Sequence, residues 1–181
     1  GSLTMAFVPV FTRIQKEQGE EKAHVFTRST LVWLLIVLGL TSLLAILGAS
    51  HLIRLVAPGF VDNLQVFEHT VFLVRICFPY IIFISGVALC MGFLNAQDHF
   101  LAPALAPCVM NIALISASLL AVWLDFEVST ALAIGVLFAG LGQWILQQPF
   151  LAKKGFTWRG KWSFKDQGVR RVGKLMLPTV A

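Results

Sequence analysis

Asn111 and Gln143 are amides set deep inside long apolar runs, and Arg75 stands at the edge of a third run, four residues before Pro79. A polar side chain loses its hydration in hydrocarbon at a cost it must recover. Asn111 and Gln143 therefore either hydrogen-bond a neighbouring helix or line a solvated path for a substrate. Arg75 either extends its guanidinium to the membrane surface or meets an anionic headgroup. Pro79 has no N–H to offer the Arg75 carbonyl, so a helix carrying both should bend there.

No other group of residues points to a reaction. His24, His51, His69 and His99 flank the apolar runs, with no pair at metal-ligand spacing, and read as interfacial residues. Cys77, Cys90 and Cys108 lie inside apolar runs, where a thiol is a small hydrophobe, so neither a disulfide framework nor a metal site is indicated. Ser85 has no intramembrane His or Asp to activate it. The reading is a protein that is not an enzyme and needs no cofactor.

The elements that must hold these side chains follow from composition. The chain has 181 residues, 57% apolar and 13% charged, with a mean hydropathy of +0.82. That balance excludes an ordinary soluble domain. Four stretches of roughly 20 residues carry no Lys, Arg, Asp or Glu, each long enough as a helix to cross a bilayer core. The fold class expected is all-α, a polytopic membrane helix bundle with four complete spans, about 30–50, 71–96, 103–124 and 130–151, and two partial ones. Residues 3–12 read as the last turns of a helix begun upstream, and residues 175–181 as the start of a further one. Residues 13–29 read as a charged connection between spans.

Pro58-Gly59 should turn the chain after the first span, and Asp62 or Asn63 could cap an approach to the second. Ala88, Gly92 and Ala96 form a small-residue stripe. On the last span Ala131, Gly135, Ala139, Gln143 and Gln147 share one face that changes from small to polar. Residues 152–174 interleave Trp158, Trp162 and Phe164 with eight Lys and Arg. Such interleaving can bind nucleic acid. Directly after a span, it reads better as an interfacial segment on anionic membrane lipids, with no nucleic acid partner.

Orientation follows from the basic residues. Twelve of the fourteen Lys and Arg fall in 13–29 and 152–174, on the same side as the short link 97–102; Arg54 and Arg75 lie on the other. The positive-inside rule puts the first set in the cytoplasm.

Five motifs occur in order: AFVPVF at 6–11, VAPGF at 56–60, FPY at 78–80, GFLNA at 92–96, and Phe100 followed by Pro103, Ala104, Pro107 and Asn111. In this order and spacing the chain resembles the lipid II flippase family, MurJ, also called MviN, of the multidrug/oligosaccharidyl-lipid/polysaccharide exporter superfamily. The resemblance covers essentially the whole chain. It implies a transporter of about fourteen helices in two lobes, of which this chain would cover the end of the second helix to the start of the seventh, within the N-terminal lobe. It also implies residence in the bacterial inner membrane and export of the lipid-linked peptidoglycan precursor to the outer leaflet by alternating access around a cationic cavity. The cavity arginines of the family pattern fall outside these residues. Pro9, Pro58, Gly59, Pro79, Asn95, Pro103, Pro107 and Asn111, which match the motifs, look like bend, turn and packing positions. The substrate-path candidates are Arg75, Asn111 and Gln143. Another exporter of the superfamily, moving a drug or another polyprenyl-linked sugar, and a non-transporting membrane scaffold are the alternative readings.

Orientation is checked by thiol labelling in intact cells. Single cysteines placed at Gln18 and Gln167 should resist an impermeant reagent applied from outside, and one at Asn63 should react. Outside labelling at Gln18 would overturn the orientation.

Overall fold

The computed structural model describes residues 2–180, with side chains over residues 3–176. The described residues form eight α-helices: α1 (Ser2–Gln18), α2 (Glu20–Leu47), α3 (Ala49–Val56), α4 (Leu64–Cys77), α5 (Tyr80–Ala96), α6 (Leu101–Trp123), α7 (Val128–Lys153) and α8 (Gln167–Val180). Four helical stretches are long and apolar enough to cross a membrane: Glu20–Leu47, Leu64–Ala96, Leu101–Trp123 and Val128–Lys153. The protein is a multi-pass membrane protein built on a helix bundle.

Residues 13–29 are not a loop. α1 continues to Gln18, and Gly19 alone, at φ 91°, separates it from α2. A left-handed residue reverses the chain within one peptide, and glycine adopts that conformation without a Cβ clash. Glu20 and Glu21 then lie in the first turn of α2, where the helix dipole favours negative charge. The hydroxyls of Thr27, Ser29 and Thr30 donate to the carbonyls one turn back, at Ala23, Val25 and Phe26, so these buried polar groups need no external partner.

Breaks bracket the next unit. α2 ends at Gly48, and a 3-10 turn at Pro58–Phe60 follows α3, with Gly59 not in the left-handed region. Asn63 caps α4, its Oδ1 accepting from the N–H of Gln65 at 3.1 Å and of Val66 at 3.3 Å. At Pro79 the helical hydrogen-bond ladder is interrupted between α4 and α5, while Phe78 and Pro79 both keep helical dihedrals. Phe78 still donates to Val74, Pro79 cannot donate to Arg75, and the ladder resumes with tight bonds from Ile81 to Phe78 and from Ile82 to Pro79. Pro9 and Pro107 lie inside α1 and α6, while Pro103 occupies the first turn of α6, where no donor is required.

Small residues set the helix spacing. A Cβ on Gly92 would lie 2.9 Å from the Phe7 ring, so the 88–92–96 stripe is the surface on which α1 packs. Thr4 bonds the Ala88 carbonyl along the same seam. Gly140 presses on Phe83 and Tyr80, Gly86 on Trp144, and Gly135 on Ala117. The main core gathers Phe7, Phe11, Phe26, Phe93, Leu94 and Leu151, with Phe7 and Phe26 stacked at 5.1 Å. A second, smaller cluster of Ala49, Ile53, Phe67 and Val71 joins α3 to α4.

The helix beginning expected at 175 lies at Gln167 instead. Asp166 Oδ1 accepts from the N–H groups of Gly168 and Val169, which starts α8 early, and Gly168 is small enough to sit against Phe26 and Ile14. Residues 177–181 lie outside the described side chains.

Gly92→Val tests the packing. Phe7 is fully buried and has no room to withdraw, so overpacking should cost about 1–3 kcal/mol. A lower Tm in detergent should appear, and an unchanged Tm would show that α1 does not rest on this stripe.

Candidate functional site

The polar face of α7 is built by its small residues. Because Gly135 meets Ala117 and Gly142 meets Val109, α6 and α7 run close enough for Gln143 Nε2–H to donate to the Ala106 carbonyl at 2.8 Å. Gln143 is 4% exposed and its Oε1 has no hydrogen-bond partner among the described residues. One turn further, Gln147 is 0% exposed with neither Oε1 nor Nε2 partnered there. Sequence reasoning placed Gln147 on this face without singling it out; its spacing of four from Gln143 was the available signal.

The other two substrate-path candidates lie apart from Gln143. Asn111 is exposed on α6 and no described residue hydrogen-bonds its side chain. It faces away from α7, toward whatever lies beside α6. Arg75, exposed in the last turn of α4, donates from Nε to the Ile46 carbonyl at 3.2 Å. That bond caps the C-terminal end of α2 and uses one of five guanidinium N–H groups. The structure thus joins Gln143 to α6 and Arg75 to α2, and does not bring Arg75, Asn111 and Gln143 into one site.

The two groups of connections separate as the basic residues indicated. At one end Arg28 Nε–H donates to the Thr157 carbonyl at 2.8 Å, Lys154 Nζ to the Gln97 carbonyl at 3.1 Å, and Ser163 N–H to Ser29 Oγ at 2.9 Å. At the other, Arg75 meets Ile46, about 27 Å along α2 from Arg28 at 1.5 Å per residue, and His69 meets Ser129.

The aromatic segment after α7 differs from a strip laid on lipid. Trp158 donates to Gln148 Oε1 at 2.6 Å and stacks on Trp144 at 5.2 Å, and Phe156 is buried against Phe93 at 4.8 Å. His24 packs against the Phe93 and Phe156 rings. Left-handed Gly155 and Gly160 let the chain fold back so that Phe156 is buried in the bundle. Trp162 and Phe164 stay exposed, as do all eight Lys and Arg of 152–174. A crevice of about 590 Å³ opens at this end between α1, α2 and α8, with Arg13, Lys22 and Arg171 on its walls beside Glu17 and Asp166.

Among the described residues no three His, Cys, Asp or Glu side chains gather as metal ligands. What the arrangement offers is a bundle with a polar seam, a split helix and a basic end. Comparison with known proteins adds the following. The family model of the lipid II flippase MurJ matches residues 1–181. The chain is 37% identical over 186 residues to the lipid II flippase MurJ of Burkholderia cenocepacia, covering 98% of this chain and 35% of that protein. It is 32% identical over 188 residues to the probable lipid II flippase MurJ of Haemophilus influenzae, covering 99% and 37%. Against the probable lipid II flippase MurJ of Vibrio cholerae it is 33% identical over 190 residues, covering 99% and 36%. The chain spans about a third of the length of these curated relatives.

The seam makes a measurable distinction. Gln147→Leu removes two buried unpartnered atoms and should leave Tm unchanged or raise it, whereas Gln143→Leu removes a bond worth about 1 kcal/mol and should lower it slightly. A clear fall in Tm for Gln147→Leu would mean that the Gln147 amide is hydrogen-bonded in the folded protein.

Proposed function

The chain belongs to the lipid II flippase MurJ family, and from that membership we propose that it forms part of the N-terminal lobe of a lipid II flippase. The whole protein moves the polyprenyl-diphosphate-linked peptidoglycan precursor from the inner to the outer leaflet of the bacterial inner membrane by alternating access. The family match along all 181 residues carries this reading. In this reading residues 1–174 form part of the N-terminal lobe and 175–181 run into a further helix, which begins at Gln167.

Two features suit the role. A helix that must change shape needs a place where no hydrogen bond has to break, and the Arg75 carbonyl, without a donor from Pro79, is such a place. Asn111 presents an amide on the outward face of α6, where a lobe would meet its cavity or its partner lobe. The exposed bases of 152–174 and the basic crevice face the cytoplasm in the orientation derived above and hold anionic lipid headgroups there.

The test is complementation. A full-length protein carrying this sequence should rescue a flippase-depleted strain, and failure of a well-expressed, correctly inserted protein would sink the proposal. Within it, Pro79→Ala should slow transport with little loss of expression, and Asn111→Ala should lower transport without lowering Tm. Wild-type transport by Pro79→Ala would remove the hinge. Arg75→Ala alongside Arg75→Lys separates a headgroup contact, which the lysine retains only in part, from the helix cap.

A further inference from the structure

The acidic link between α6 and α7 carries a cluster that neither the motifs nor the substrate-path residues include. Glu127 is the N-cap of α7. Its Oε1 accepts from Ser129 Oγ–H at 2.6 Å and lies 2.7 Å from His69 Nε2 on α4; its Oε2 accepts from Thr130 Oγ1–H at 2.6 Å. His69 Nε2 is also 3.0 Å from Ser129 Oγ. The two hydroxyls, with His69 nearby, hold the Glu127 carboxyl below its ordinary pKa, so it is ionised at neutral pH. A carboxylate has no hydrogen to give and the Ser129 hydrogen is committed to it, so Nε2 is the protonated ring nitrogen and donates to Glu127.

The position of this cluster gives it meaning. α3 and α4 share the small core of Ala49, Ile53, Phe67 and Val71, separate from the main core. Arg54 over the Phe67 ring at 5.5 Å adds to that unit from within. Helix breaks bracket it, at Gly48 before α3 and at Pro79 after α4. Arg75 ties one side of the unit to α2 through Ile46. Toward α7, among the described residues, the side-chain hydrogen bonds that leave α4 all start from His69. A unit with its own core, a helix interruption at each end and one polar tether to the neighbouring span is a body that can swing.

We infer that His69, Glu127 and Ser129 form a latch that holds the α3–α4 unit against α7, and that releasing it lets the unit move about Gly48 and Pro79 at the outer face. The link to transport rests on the flippase reading; the latch itself does not. Its groups are partly exposed, so water competes for them and the tether is weak enough to open and reclose. Thr130 and Ser129 hold the carboxylate on α7 whether or not His69 is bound, which fixes the receiving half in place.

The experiment uses the full-length protein carrying this sequence, in nanodiscs, with Cys77, Cys90 and Cys108 replaced by alanine and spin labels at Leu64 and Val128. His69→Gln and Glu127→Gln should each raise the population of the longer interlabel distance roughly two- to fivefold, the range expected of an exposed charge pair, and the double variant should do no more than either alone. Distances identical to those of the unsubstituted protein in both single variants would overturn the latch, as would effects that add in the double variant. For transport, cysteines at His69 and Ser129 joined by a short reducible bifunctional thiol reagent should slow flipping, with recovery on reduction. Flipping at the uncrosslinked rate would overturn the gating role. If the unsubstituted protein itself fails to complement, the flippase reading falls, and the distance measurement still decides the latch.

Discussion

Inside hydrocarbon a polar atom has no water to turn to, so every donor and acceptor on a spanning helix must find its partner within the protein. That constraint organises this bundle more than any single contact. It explains why Thr27, Ser29 and Thr30 turn their hydroxyls back on their own helix, and why Gln143 reaches across to the Ala106 carbonyl. It also explains why Arg75 closes the end of α2. Polar groups left open, among them both amide atoms of Gln147 and the exposed Asn111, are conspicuous against that background.

The same constraint gives the small residues their purpose. A side-chain amide on one helix reaches a main-chain carbonyl on the next only if the two backbones run close, and Gly135 and Gly142 permit that approach between α6 and α7. On α5, Gly92 does the same for α1, where aromatic rings then fill the space: Phe7, Phe11 and Phe93 interlock with Phe26 and with Phe156 from the segment after α7. The basic end is thereby the densely packed one. The opposite end holds a small core and two helix breaks, and is joined to the rest by polar contacts at Arg75 and His69. The alternating opening proposed for the whole protein calls for regions of unequal packing, and the two ends of this bundle differ in that way.

The comparison between residues 152–174 and their folded form shows where local reading stops. Interleaved tryptophan and lysine is a sound signature of a membrane interface, and Trp162, Phe164 and the exposed bases fit it. Trp158 and Phe156 have the same chemistry but a different fate, because Trp144, Gln148 and Phe93 present a matching aromatic and amide surface on helices that the sequence does not show to be adjacent. His69 is the parallel case at the opposite end, where its partner lies 58 residues along the chain at Glu127.

The amino-acid sequence by itself determined that the protein crosses a membrane several times, that the chain turns at Pro58 and its helix is interrupted at Pro79, which connections share a side, and which family it resembles. These follow from hydropathy, from proline's missing N–H and from the count of basic residues, all of which act locally along the chain. The placement of Pro79 and Asn63 was legible for that reason, and so was the face shared by Gly135, Gln143 and Gln147. Tertiary structure alone decided that Gln143 has a partner and Asn111 has none among the described residues, that Arg75 caps α2, and that His69 meets Glu127. The physical reason is that a buried or charged group is satisfied by whichever distant atom the packing brings within about 3 Å, and no periodicity in a single chain encodes that neighbour.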